Sequence, residues 1–270
     1  MILTVNHVTT YQYDVPMRSA VQTLRLFPSR FDGQRIIRWD VSVEGGIRGG
    51  SFKDGAGDRI EGWSVRGPVS KVTITASGQV ETIDLAGVLR GHREQVPPLS
   101  YLCETTATWV DDALETLANE AVLGAEDDLD RAHRLSRAVS AAIAYKPGVT
   151  QAHTTAAEAL SLGEGVCQDH AHALIAAARA VGLPARYVSG YLFARDDGEP
   201  HEATHAWAEV HVPNIGWIGF DPANACCPDQ RYIRLGSGAD ARDAAPIKGI
   251  ALGLGEESLD VAVALEATQQ

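Results

Sequence analysis

Apolar and polar residues alternate with a period of about two through much of the first hundred positions, the spacing of half-buried strands. Segments near 2–13, 20–28, 35–44, 58–65 and 69–83 are rich in Val, Ile, Thr and aromatic residues. The run VTITASGQVETIDL shows the alternation most plainly. Gly45-Gly46, Gly49-Gly50 and Asp54-Gly55-Ala56-Gly57-Asp58 separate these runs as turn clusters. Short strands at this spacing predict a sandwich-like or barrel-like β module.

The period changes after Pro97-Pro98. Residues 107–123 carry Trp109, Leu114, Leu117 and Val122 on one helical face, and 128–144 carry Leu129, Ala132, Leu135 and Val139. A short helix near 155–161 leads into a turn bounded by Gly163 and Gly165, and a new helical pattern starts at Cys167. In it Ala171, Leu174, Ile175, Ala178 and Val181 recur at helical spacing until Gly182 and Pro184 stop the run. Strands are predicted at 185–193, 204–212 and 217–221. Helices followed by antiparallel strands predict an α+β layout. The chain therefore divides into a β-rich region at 1–100, a core at 101–235 and a Gly/Ala-rich tail at 236–270, expected to add strands to the core.

The chemistry concentrates at the start of the Cys167 helix. A cysteine in the first turn faces unpaired backbone N–H groups and the positive end of the helix dipole, both of which favour the thiolate. The N–H of Cys167 is also a candidate donor to an oxyanion. A cysteine that only packs usually sits within an apolar run, whereas Cys167 is followed by Gln168, Asp169 and His170.

In THAWAEVHV, residues His205, Trp207, Glu209 and His211 share one face of a strand. A hairpin loop centred on Pro213 sets His205 opposite Asp221, whereas a two-residue turn at Asn214-Ile215 puts them on opposite faces. In the first register Cys167, His205 and Asp221 form a nucleophile, base and orienting carboxylate for acyl transfer.

Around them, Gln168 is a candidate hydrogen-bond donor. Asp169 is either a helix-terminus carboxylate or a substrate contact. Trp207 and Trp217 either pack the hairpin or wall an acyl groove. Tyr145 either reaches the cleft or ends a helix.

Composition limits the alternatives. The 270 residues carry a formal charge of −12, with 45% hydrophobic and 21% charged residues. That is globular, and it argues against nucleic-acid or anionic-membrane partners, which select for clustered Lys and Arg. The start of the chain, MILTVNHVTTYQYDV, lacks a basic segment followed by a long apolar one, and the expected location is cytoplasmic. Cys103, Cys167, Cys226 and Cys227 have neither disulfide nor zinc spacing, so free thiols are expected. A metal cluster of Cys167, His170 and His172 with Cys226 or Cys227 is disfavoured, because the helical period turns His172 about 200° from His170. Acidic loops suited to calcium are absent, and no cofactor is expected.

GVCQDHAHALIAAARAVGLPARYVSGYL, HAWAEVHVPNIGWIGFDP and the upstream IAYKPGVT resemble the bacterial branch of the transglutaminase-like superfamily. HVTTYQYDVPMRSAVQTLRLFPSR is similar to the β-rich N-terminal region that precedes such cores. The resemblance covers most of the chain. It implies a papain-related α+β core, helices packed on an antiparallel sheet, and carries nucleophile, base and orienter onto Cys167, His205 and Asp221. Members are described as cysteine proteases or amidases, while animal relatives perform transamidation.

His170 departs from the pattern, which has an aromatic residue there; that bears on the pocket wall rather than on the triad. The expected activity is thiol-dependent hydrolysis of a peptide or amide. Transamidation of Gln with an amine, and a non-catalytic interaction module, are the alternatives. The sequence leaves open whether the N-terminal region selects substrate, covers the cleft or forms a homo-oligomer.

Overall fold

The computed structural model describes residues 1–193 and 204–268. Its first strand, β1 (Ile2–Leu24), runs the length of two predicted segments and is followed by β2 (Gln34–Val43), β3 (Ile47–Lys53) and β4 (Arg59–Thr82). Pro16 lies where the β1–β4 ladder shifts between Gln12 and Met17, and Pro68 where it shifts again between Met17 and Ser19. Neither proline can donate to a ladder, so the strands bend there instead of ending. The turn cluster at Gly49-Gly50 lies inside β3, an exposed edge strand with no buried face to impose alternation.

The helices start where side chains can cap them. The predicted helix at 107–123 is shorter, α1 (Asp112–Ala121), because Asp111 accepts the Leu114 N–H at 2.9 Å and fixes the start there. Trp109, expected on its apolar face, lies before the helix and is exposed. Next come α2 (Asp128–Ala142), β5 (Ala144–Tyr145), α3 (Ala156–Leu162), β6 (Glu164–Gly165) and α4 (Cys167–Ala180). Helix α4 is buried on almost every side from Asp169 to Arg179, as a helix at the centre of a layer must be.

Strands β7 (Ala185–Leu192), β8 (Thr204–Val212), β9 (Gly216–Phe220) and β10 (Tyr232–Gly238) form a four-stranded antiparallel sheet ordered β10-β7-β8-β9. Helix α4 packs on β7 and β8, with α1, α2 and α3 around it. The result is an α+β core of helices on an antiparallel sheet.

The tail divides. Its first residues complete β10, but β11 (Ile247–Leu252) and β12 (Glu257–Thr268) leave the core and pair with β1. The expected sandwich-like module is thus one continuous six-stranded antiparallel sheet, completed from the far end of the sequence. The tail shows little apolar alternation because both faces of β11 and β12 are largely exposed.

Between the two regions lies a chain of buried ion pairs. Arg186 bonds Glu94 and, at 2.7 Å, Glu209; Arg234 bonds Glu209 at 2.8 Å and Asp58 at 2.9 Å. The Arg186 guanidinium also lies over the Trp217 ring at 4.0 Å. Each buried carboxylate here has at least one arginine, which is what makes its burial tolerable.

Candidate active site

The turn before α4 is built from local hydrogen bonds. Gly163 ends α3 in the left-handed region at φ 69°, where its N–H reaches the Ala159 carbonyl at 3.0 Å. Two residues later the chain passes so close to Asp169 that a Cβ on Gly165 would lie 2.8 Å from that side chain. The Asp169 carboxylate turns back to accept the Val166 N–H at 2.8 Å and the Thr150 hydroxyl at 2.7 Å. Asp169 is therefore buried beneath the turn, where it holds the backbone, rather than in contact with a substrate.

His170 is buried as well. Its ring nitrogens lie 2.9 Å from the Val166 carbonyl and 2.8 Å from that of Ile143, tying the turn to the end of α2. The residue departing from the family pattern is thus a strut under the turn, not part of a pocket wall.

Strands β8 and β9 pair Val212 with Gly216 and Ala208 with Phe220. The loop is three residues long and centred on Asn214, which takes φ 68°. It is not centred on Pro213, so Asp221 lies diagonal to His205 rather than opposite it. The even register still keeps both on one face, and diagonal neighbours remain within reach of long side chains.

His205 Nε2 lies 2.7 Å from Asp221 Oδ2. Cys167 lies near enough to the same ring to raise its proton affinity as well. The structure thus brings Cys167, His205 and Asp221 together.

Burial, the largest single influence on His205, disfavours its charged form. The hydrogen bonds and charges of Asp221 and Cys167 outweigh burial and push its pKa up to about 9. Burial would likewise raise Asp221, but His205, then Asn224 and Tyr232, hold that carboxyl below its usual range. The N–H groups of Cys167 and Gln168 head α4, where no earlier turn supplies an acceptor.

Three other sequence candidates are placed as follows. Gln168 turns toward a groove it lines with His153, His172, Asp240 and Arg242, and its amide donates to the Ala152 carbonyl at 3.1 Å. Tyr145 is exposed on β5, which pairs with β6 just before the cysteine turn. Trp207 is buried, its ring 6.4 Å from that of His205 and edge-on to Tyr232 at 5.5 Å, and it lines a cavity with Phe31, Leu85 and Tyr232.

Sequence reasoning missed Asn224 and Tyr232. Asn224 Nδ2 donates to Asp221 Oδ2 at 2.7 Å and its N–H to Oδ1 at 3.2 Å; the Tyr232 hydroxyl donates to Oδ2 at 2.8 Å. Asn224, three residues past Asp221, carried a readable signal, since Asn is a common turn donor. Tyr232 carried none.

Cys226 and Cys227 sit in the turn that closes after Asp221. Asp221 and Cys226 exchange backbone hydrogen bonds of 2.8 and 3.2 Å. Burial raises both thiols, Cys227 to about 11, which sets them apart from a nucleophile. All four cysteines are unpaired. Among the described residues no group of three or more His, Cys, Asp or Glu is arranged to hold a metal, and no helix is long and apolar enough to cross a membrane.

Comparison with known proteins agrees with this architecture. Residues 115–222 match the model of the transglutaminase-like superfamily, and residues 3–81 that of the bacterial transglutaminase-like N-terminal region. The chain is 32% identical over 273 residues to an uncharacterized protein of Mycobacterium leprae, covering 95% of each. A protein-glutamine gamma-glutamyltransferase of Pseudomonas aeruginosa is 29% identical over 143 residues, covering 45% of this chain and 21% of that one. The fold resembles the crystal structure of a cysteine protease candidate from Cytophaga hutchinsonii, with TM-score 0.75 at 22% identity, covering 100% of this chain and 92% of that one.

Proposed function

Because the chain belongs to the transglutaminase-like superfamily, we propose that it is a thiol-dependent acyl-transfer enzyme, a peptidase or amidase. The observation that carries this reading is the His205–Asp221 pair, bonded at 2.7 Å, beside Cys167 at the head of a buried helix.

In this mechanism the Cys167 thiolate adds to an amide carbonyl while His205 is imidazolium. The N–H groups at the start of α4 receive the oxyanion. The tetrahedral adduct then collapses: its C–N bond breaks, the amine leaves with the proton from His205, and a thioester remains on Cys167. Water attacks the thioester and gives its proton to His205; the C–S bond breaks, the acid departs, and the thiolate–imidazolium pair is restored. Asp221 keeps the imidazole in one tautomer and stabilises its cation throughout.

The name of the Pseudomonas aeruginosa relative favours a second reading, in which an amine replaces water and a new amide forms. Mass analysis of products from Gln-containing peptides, with and without an added primary amine, separates the two.

The test of the shared first step is iodoacetamide labelling, located by peptide mapping, in wild type and His205→Ala. Cys167 is expected to label selectively at pH 6 and to lose that reactivity in His205→Ala. Labelling of Cys167 no faster than Cys103, and unaffected by His205→Ala, refutes the reading and leaves an interaction module.

A further inference from the structure

Three donors converge on Asp221 Oδ2: His205 Nε2 at 2.7 Å, Asn224 Nδ2 at 2.7 Å and the Tyr232 hydroxyl at 2.8 Å. The first two come from the hairpin and its closing turn. Tyr232 arrives from elsewhere, on β10, the edge strand of the core sheet.

One edge of β10 pairs with β7. The other is held by the N-terminal region. Gln34 Oε1 accepts the Arg234 N–H at 2.8 Å, and Gln34 Nε2 and the Ser29 N–H donate to the Arg234 carbonyl at 2.8 and 2.9 Å. A single side chain, Gln34, thus imitates a neighbouring strand and satisfies both backbone groups of Arg234.

The Arg234 side chain is gripped as well, by Ser29 Oγ at 2.6 Å and Asp58 Oδ1 at 2.9 Å. Asp58 also accepts the Ser237 N–H at 2.7 Å. Side chains along β10 alternate in the same sense. Ile233 and Leu235 bury in the N-terminal core, while Tyr232 packs with Trp207 and Val188 behind the triad.

We infer that Tyr232 is a positioning residue for Asp221, and that the N-terminal region sets its place through Gln34 and Asp58. The β-rich region is then part of the machinery that aligns the carboxylate with His205, whatever else it does. The phenol suits this role: burial, together with the charge of Asp221, pushes its pKa far above the ordinary range, so it remains a donor throughout the working pH. This inference rests on the proposed catalytic reading.

The test uses the whole chain and reads the His205 ring titration by NMR, beside iodoacetamide labelling of Cys167 at pH 6 and the thermal midpoint. Four proteins are compared with wild type: Tyr232→Phe, Gln34→Ala, His205→Ala and, as a control, Tyr191→Phe. Tyr191 bonds His7 at 2.7 Å within the same interface, away from Asp221.

Tyr232→Phe removes a donor that competes with His205 for Oδ2 and lets the carboxylate rotate. The His205 midpoint is expected to rise by about half a unit, a threefold gain in proton affinity. Labelling is expected to slow about tenfold, the scale of one hydrogen bond to a charged group. Gln34→Ala is expected to move both in the same direction, and Tyr191→Phe to lower the thermal midpoint alone. Ser29→Ala replaces Gln34→Ala if the latter does not fold.

A His205 midpoint unchanged in Tyr232→Phe overturns the positioning role. A midpoint that moves in Tyr232→Phe but in neither folded N-terminal variant overturns the route through Gln34. Wild-type labelling indifferent to His205→Ala overturns the catalytic reading itself, and this inference with it.

Discussion

Replacing Glu209 by Gln changes the charge at the centre of the buried cluster while keeping its volume. The carboxylate accepts from Arg186 Nε at 2.7 Å and from Arg234 Nε at 2.8 Å, and all three side chains are buried. Burial alone would raise this carboxyl, but the charges of Arg234 and Arg186, and then their hydrogen bonds, outweigh it and lower it from the ordinary 4.5 to about 2. At about 1.4 kcal/mol for each tenfold change in proton affinity, that corresponds to about 3 kcal/mol. Breaking a buried pair typically costs about 3–5 kcal/mol. The lower value is the better expectation, because Arg186 keeps Glu94 and Arg234 keeps Asp58.

A loss of about 3 kcal/mol lowers the melting temperature of a chain this size by roughly 6–12 °C. The sign of the pH dependence follows from the lowered proton affinity. The stabilisation is complete above about pH 4.5 and is lost as pH falls toward 2. Thermal unfolding followed by circular dichroism between pH 2 and 7 reads both effects. A melting temperature within about 2 °C of wild type at pH 7, on an unchanged acid limb, refutes the account of this cluster.

Two further outcomes follow from the site. Asp221→Asn keeps the shape but removes the charge that raises His205, so the ring midpoint falls below about 9 and Cys167 labelling at pH 6 drops steeply; an unmoved midpoint by NMR contradicts this. Gly165→Ala drives a methyl into Asp169 at 2.8 Å and loosens its hold on Val166. Unfolding midpoints are expected to show a loss of about 1–3 kcal/mol, with labelling at Cys167 slowed alongside; full retention of both contradicts the role given to Asp169.

What the sequence revealed depended on how local each signal was. The start of α4 at Cys167 and the span of β8 were legible because a glycine turn and a strict alternation mark them. The shared face of His205 and Asp221 was one of two registers the sequence allowed, and in that register the loop centre was misplaced by one residue, since Asn214 rather than Pro213 takes the left-handed position. Tyr232 and Gln34 were invisible for the opposite reason. Their partners lie 11 and 200 residues away, and no periodic pattern records which strand edge will meet which side chain. The buried Arg186–Glu209–Arg234 series was hidden because charged residues in a strand ordinarily face water.

The return of β12 to β1 has a consequence for the order in which the molecule is made. Ile2 pairs with Thr268, and β1 has an open edge until residues 247–268 arrive. During synthesis the first sheet must wait, edge exposed, while the core with its thiol is assembled between its two parts. Such long-range closure is slow, and an open strand edge invites pairing with other chains. The last strands therefore act as a guard on the first. Their arrival closes the edge of a sheet whose other contacts, through Gln34 and Asp58, hold β10.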